Sequence, residues 1–99
     1  EQVIRKVAQN YHGILLVTEN GIGTADDTRR VEFIRRALAG VQRCIESGID
    51  LRGYLHWSLL DNFEWQAGFA KTFGLIAVDR STQKRYPKES LAVLGEYAG

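Results

Sequence analysis

The sequence predicts an α/β fold with parallel strands. Two observations carry this. The runs Ile14–Leu15–Leu16–Val17 and "GYLHWSLL" at 53–60 are almost continuously apolar, and an amphipathic helical pattern lies between them. Strands covered on both faces have this apolar character, because parallel sheets are packed on each side. A parallel pair also needs a crossover long enough to hold a helix.

The elements follow in order. Val3, Ile4, Val7 and Ala8 recur at helical spacing, with Arg5, Lys6 and Gln9 between them. This is the tail of an amphipathic helix that stops near Asn10. The first strand is expected over Ile14–Thr18, followed by a loop at Gly21-Ile22-Gly23-Thr24-Ala25. Asp26, Asp27 and Thr28 are candidate N-caps for the crossover helix. Val31, Ile34, Leu38, Val41 and Ile45 mark its apolar face, with Arg29, Arg30, Arg35, Arg36 and Arg43 placed largely off it. Gly48 is a good terminator. The second strand spans 53–60 and a third extended run spans 73–79. "RSTQK" is a turn, "RYP" a short returning strand, and Pro87 opens a last helix from Lys88 to Tyr97.

Composition removes several function classes. The chain has 99 residues, 44% hydrophobic and 25% charged, as in an ordinary globular chain. No apolar run approaches the ~20 residues of a membrane helix, so no membrane partner is expected. The opening Glu-Gln-Val-Ile-Arg-Lys does not resemble a signal peptide. The formal charge is +1, and basic residues are interleaved with acidic ones. No nucleic-acid partner is expected, because such partners usually meet a basic stripe. Cys44 is the single cysteine and lies in the helical pattern, where a small packed residue is the expectation. It cannot form an internal disulfide, which fits a reducing compartment, and a cytoplasmic location is expected. No His/Cys/Asp/Glu cluster has metal-ligand spacing, so neither a metal nor another cofactor is expected.

Parallel β/α folds carry their sites at the C-terminal ends of the strands. Glu19 and Glu64 both stand just past predicted strands that a crossover makes parallel, so both carboxylates emerge at one edge. Glu19 is either a solvated loop residue or a site carboxylate, flanked by Thr18 and Asn20, which can hydrogen-bond to it. A dinucleotide site at Gly21-Ile22-Gly23 is disfavoured. Asp26 stands at the third glycine position, and with Asp27 it would repel a pyrophosphate from the helix N-terminus. In "DNFEWQAGF", Phe63, Trp65 and Phe69 alternate with Asp61, Asn62, Glu64 and Gln66. Such a loop suits either core packing or a sugar, whose C–H faces stack on rings while its hydroxyls take hydrogen bonds. His12 and His56 are expected to be structural.

At this point the residues resemble a known family. "VTENG", then "HWSLLDNFEW", "GF", "FGL", "VD" and Gln83-Lys84-Arg85 with Pro87-Lys88 and Ser90 look like the C-terminal part of the glycoside hydrolase family 1 β-glucosidases. The resemblance covers nearly the whole chain, with two separate motifs in the family order. It implies the C-terminal portion of a TIM (β/α)8 barrel: the last two barrel strands with flanking helices, forming one incomplete segment over 1–99. It also implies hydrolysis of β-glucosides or small oligosaccharides with retention of configuration. Carried over by motif, Glu19 is the catalytic nucleophile and would form a glycosyl-enzyme. Trp57 lines the sugar site, Glu64 and Trp65 bind sugar hydroxyls, and Phe73 closes the wall. The bond between Trp57 and Ser58 is expected to be cis.

The sequence departs from the family pattern at Thr72, where Arg is frequent, and at His12-Gly13-Ile14, which lacks the usual Pro. It also contains no Thr-Leu/Phe-Asn-Glu-Pro motif, where the family keeps its acid/base carboxyl. A retaining glycosidase needs that second carboxyl ~5–5.5 Å from the nucleophile, and a full barrel takes ~250 residues. The expectation is therefore a piece of a β-glucosidase, with the missing N-terminal part of the barrel as its partner. The other reading is a non-catalytic β/α fragment acting as a carbohydrate-binding or complementing module.

Overall fold

The computed structural model of the chain describes residues 1–98. The elements are α1 (Gln2–Ala8), β1 (Leu15–Asn20), α2 (Asp27–Glu46), β2 (Leu51–His56), β3 (Ile76–Asp79), β4 (Lys84–Pro87) and α3 (Glu89–Ala98). A single turn of 3₁₀ helix, Trp65–Ala67, lies between β2 and β3. β1 and β2 pair in parallel across the α2 crossover, as the apolar runs and the amphipathic stretch require. β3 and β4 form an antiparallel hairpin, so "RYP" does return as a strand.

Several boundaries differ from the sequence reading, including the start of β2, which lies at Leu51 and not at residue 53. β1 runs on through Asn20, which puts Glu19 inside the strand instead of past it. Regular pairing of β2 ends at His56. From there the chain continues as an irregular segment that hydrogen-bonds to residues 73–76: Leu75 N–H donates to the Ser58 carbonyl at 3.0 Å and Ile76 N–H to that of Leu59 at 2.9 Å. The run at 73–79 is thus shared, its first half lying along 58–61 and its second half forming β3.

Helix α2 is capped at both ends. Asp26 is the N-cap, its side chain accepting from the Thr28 N–H at 3.0 Å. At the other end Gly48 adopts φ 92°. Ile49 N–H reaches the Cys44 carbonyl and Gly48 N–H that of Ile45, which satisfies two carbonyls the helix leaves free. Ile34 and Leu38 bury the apolar face of α2 against Leu75 and against Val93 of α3, with Tyr54 and Leu94 packed around them. Cys44 is a packed residue and fully buried, whereas Ile45, predicted on the same face, is 44% exposed.

The largest departure is Arg30. Helical periodicity places it off the apolar face, yet it is 0% exposed. Its Nη1 donates to Asp27 Oδ1 at 2.7 Å, and its Nη2 donates to the carbonyls of Thr24 and Thr72. Asp27 also accepts from the Ser90 hydroxyl at 2.7 Å and from the Ser90 N–H at 3.0 Å. Burial works against the Asp27 anion, but the Ser90 and Arg30 hydrogen bonds outweigh it and hold the carboxyl below the usual range. One guanidinium thereby joins the loop after β1, the segment before β3 and, through Asp27, the start of α3. A second tie is parallel to it: Lys88 Nζ donates to Asp61 Oδ1 at 3.1 Å and to the Gly74 carbonyl at 2.8 Å.

Removing a partner from a buried ion pair leaves charge and carbonyls unpaired, at a typical cost of about 3–5 kcal/mol. Arg30→Met in the full chain should lower stability by that amount, read from the denaturant midpoint. A loss under about 1 kcal/mol would show that the tie contributes little.

Candidate active site

The two faces of the β1–β2 pair are unequal. Tyr54 packs against the α2–α3 core, and Val17 is its direct partner, so both lie on the helix-covered side. His56 lies two residues beyond Tyr54 and shares that side. Asn20 pairs with His56. Val17 and Asn20 therefore share a face although they are three residues apart. Between these pairs, Thr18 and Glu19 stand opposite the single residue Leu55. This is a β-bulge, and it changes the outcome for Glu19. Regular alternation would send Glu19 to the helix side with Leu15 and Val17. Thr18 and Glu19 are both exposed, and counted from the covered residues on either side, Val17 and Asn20, both fall to the open side. A second bulge, at Arg52 opposite the Leu15–Leu16 step, keeps Leu51 and Tyr54 on the covered side in the same way.

The open side is apolar for a surface: Leu16 is 58%, Leu55 62% and Leu59 57% exposed. Trp57 belongs to it, two residues on from Leu55, and is 38% exposed. The Trp57–Ser58 bond is cis, as expected. Trp57 N–H donates to the Asn20 carbonyl at 2.9 Å, which fastens the residue after β2 to the end of β1. Its indole Nε1 donates to Glu64 Oε1 at 3.2 Å. Glu64, on the loop before the 3₁₀ turn, is thus drawn back over the open face.

The other predicted residues fall into place unevenly. Phe73 is half-buried, and a methyl group at Gly23 would lie 2.9 Å from its ring, so the ring closes against the loop after β1. Trp65 stands apart: it is 83% exposed, with φ 47°, and has no side-chain hydrogen bond among the described residues. Glu19 likewise has no side-chain hydrogen bond or ion pair among the described residues. Asn20, expected as a possible partner, instead accepts from the Tyr54 hydroxyl at 2.9 Å on the covered side. Asp61 is taken up by Lys88 and by the Gly74 N–H, and is structural. A cleft of about 390 Å³ opens along the free edge of β1, between α1 and α2. Its walls include Ile4, Val7, Leu15 and Val41 and take in Thr18, Glu19, Asn20 and Tyr54 at the end of β1, but neither Trp57, Glu64 nor Phe73.

Chemically, the open side combines an unpaired carboxylate on a strand with an indole and a second carboxylate hydrogen-bonded to each other. Such a set can offer a nucleophile, a stacking face and hydrogen-bond acceptors. No group of His, Cys, Asp and Glu able to hold a metal ion occurs among the described residues.

Sequence reasoning missed the supports of this site. Arg30 carried a signal in its i,i+3 spacing from Asp27. The Thr24–Thr72 contact carried none: Thr24 N–H donates to the Thr72 carbonyl at 3.0 Å and the Thr72 hydroxyl to the Thr24 carbonyl at 2.8 Å, across 48 residues.

The chain is similar to known proteins over nearly its whole length. A family model described as glycosyl hydrolase family 1 matches residues 1–98. A β-galactosidase of Saccharolobus solfataricus is 45% identical over 96 residues, covering 97% of this chain and 20% of that protein. The apo structure of a β-glucosidase designated 1317 superposes with TM-score 0.93 at 57% identity, covering 96% of this chain and 24% of the other. A β-glycosidase from Pyrococcus horikoshii gives TM-score 0.93 at 47% identity, over 98% and 23% of the two chains. The chain spans about a fifth of the length of the curated relatives it matches.

Gly21 offers a test of the strand junction. A methyl group there would overlap the Trp57 carbonyl oxygen, a backbone atom that cannot swing away. Gly21→Ala should destabilise by at least about 1–3 kcal/mol and weaken protection of the Trp57 amide in hydrogen exchange. Gly95→Ala, in open space on α3, should instead gain up to about 1 kcal/mol from helix propensity.

Proposed function

The chain belongs to glycosyl hydrolase family 1, and from that membership we propose that it supplies the nucleophile-bearing end of a retaining β-glucosidase. In this reading β1 and β2 are the last two strands of a TIM barrel, and the open side of the pair is the barrel interior. The observation that carries the proposal is the bulge that turns Glu19 onto the same side as the Trp57–Glu64 pair.

The reaction has two steps. The Glu19 carboxylate attacks the anomeric carbon of a terminal β-D-glucoside. The bond to the leaving oxygen breaks, and that oxygen takes a proton from an acid/base carboxyl. That carboxyl comes from the remainder of the barrel, since no matching motif occurs in these residues. Water, deprotonated by the same group, then cleaves the glycosyl-enzyme, giving net retention. Trp57 offers its ring face to the sugar while its N–H holds Glu64, whose remaining lone pairs accept sugar hydroxyls. Trp65 supplies a further N–H, and Phe73 closes the wall beside Gly23.

The exposed Leu16, Leu55 and Leu59 support a second reading of how the chain acts by itself. A face this apolar needs covering, so the piece works by docking onto the rest of a barrel and has no turnover alone. Glucoside, galactoside and fucoside specificities all occur in the names of relatives, among them a bifunctional β-D-glucosidase/β-D-fucosidase of Bifidobacterium breve. We place glucosides first.

Two experiments test the proposal. In the complete barrel, with these residues joined to its remaining part, a 2-fluoro-β-glucoside should label Glu19, and Glu19→Ala should abolish turnover, with azide restoring it and giving the α-glycosyl azide. Labelling elsewhere, together with a fully active Glu19→Gln, would overturn the assignment. Residues 1–99 alone should show no measurable hydrolysis of cellobiose, because loss of general acid catalysis alone costs ~10²–10⁴-fold. Turnover at an ordinary enzymatic rate of ~1–10³ s⁻¹ would contradict this.

A further inference from the structure

Glu19 faces the open side only because the strand holds an extra residue between Val17 and Asn20. The place of such a bulge along the pair is set by what holds its two ends. The near end is fixed by packing, since Val17 lies opposite Tyr54, which is wedged in the core. The far end is Asn20, and it is held three ways. It pairs with His56. Its carbonyl accepts from the Trp57 N–H at 2.9 Å. Its side-chain Oδ1 accepts from the Tyr54 hydroxyl at 2.9 Å.

The third hold is the unusual one. Tyr54 is the partner of Val17 at one end of the bulge, yet its hydroxyl reaches Asn20 at the other. A single side chain therefore spans the two residues whose separation defines the bulge. His56 lies behind it, with Nδ1 3.3 Å from the Tyr54 hydroxyl oxygen. Since Tyr54 donates its proton to Asn20, a neutral His56 donates from Nδ1 to the Tyr54 oxygen. Burial first, and the nearby Arg30 charge second, favour that neutral form by lowering the His56 pKa. Burial also pushes the Tyr54 hydroxyl up to about 12, so it remains a donor at any working pH. None of these groups reaches the open side.

We propose that Tyr54 is a positioning residue for Glu19: its hydrogen bond to Asn20 pins the bulge and thereby sets the direction of the carboxylate. This rests on the reading of Glu19 as nucleophile. A nucleophile displaced by ~1 Å can lose ~10²-fold in rate with substrate binding intact. Loss of the pin therefore appears in the glycosylation rate and not in affinity.

The test uses the complete barrel, with these residues joined to its remaining part, and a 2-fluoro-β-glucoside as probe. Tyr54→Phe should lower the limiting rate of inactivation by about tenfold or more while leaving the half-saturating concentration unchanged. Asn20→Ala removes the acceptor and should give the same loss, and it keeps the test open if Tyr54→Phe fails to fold. The double variant should be no slower than either single one, because all three lack the same bond. A merely structural Tyr54 would lower the melting temperature and leave the limiting rate untouched below the melt. Glu19 labelled at the parental rate in both single variants, or single effects that multiply in the double, would overturn the proposal. If the parent is not labelled at Glu19, the nucleophile reading fails separately. The pin is then read from hydrogen exchange at the Trp57 amide, where unchanged protection in Tyr54→Phe and Asn20→Ala would refute it.

Discussion

The guanidinium of Arg30 is the constraint on which the arrangement of this chain depends. Three segments far apart in sequence meet at it: the loop after β1, the segment leading into β3, and, through Asp27 and Ser90, the first turn of α3. A buried charge is costly unless its donors find partners, and here Nη1 and Nη2 have them while Nε has none among the described residues. The planar, five-donor geometry of arginine lets one side chain serve several acceptors at once, which a lysine ammonium does less well. What it fixes is local to the site. Thr24 is adjacent to Gly23, against which the Phe73 ring rests, and Thr72 precedes Phe73. The wall and the loop it closes on are thereby set by the same cation.

The supporting and chemical residues are sorted by face. On the helix-covered side, polar groups are paired with one another: Tyr54 with Asn20, Arg30 with Asp27. On the open side, Glu19 has no partner among the described residues, and Trp57 and Glu64 share one bond. Unpaired carboxylate and exposed leucines are poor for stability and suited to meeting a ligand and a further layer of protein. Rigid strands with pinned ends keep these groups in place.

Much of this was legible in the sequence, and the limits have physical causes. The α/β class follows from two apolar runs around a crossover, because burial on both faces leaves a compositional mark. Glu19 could be singled out because a carboxylate ending such a run is conspicuous. The end of the first strand differs because Glu19 and Asn20 have weak strand preference and are held by pairing with β2, a non-local effect. Register is a property of two strands, so the bulge has no signature in either one. Periodicity sets Arg30 off the apolar face because it treats charge as solvated. Its burial depends on carbonyls of residues 24 and 72, of which only the first is near in sequence. Pro87, Lys88 and Ser90 belong to the family resemblance, and their physical content lies in the tertiary contacts: Lys88 holds Asp61, and Ser90 holds Asp27.

The bulge acts on β1 as a phase shift does on a wave. Upstream of it the odd-numbered residues face the helices. Beyond it the sides are exchanged, and Asn20 occupies the side that parity would have given to Glu19. The identity of a residue at the mouth of this strand is thus separable from its direction. A carboxylate moved one place on, to position 20, would face Tyr54 on the covered side and could not stand in for its neighbour.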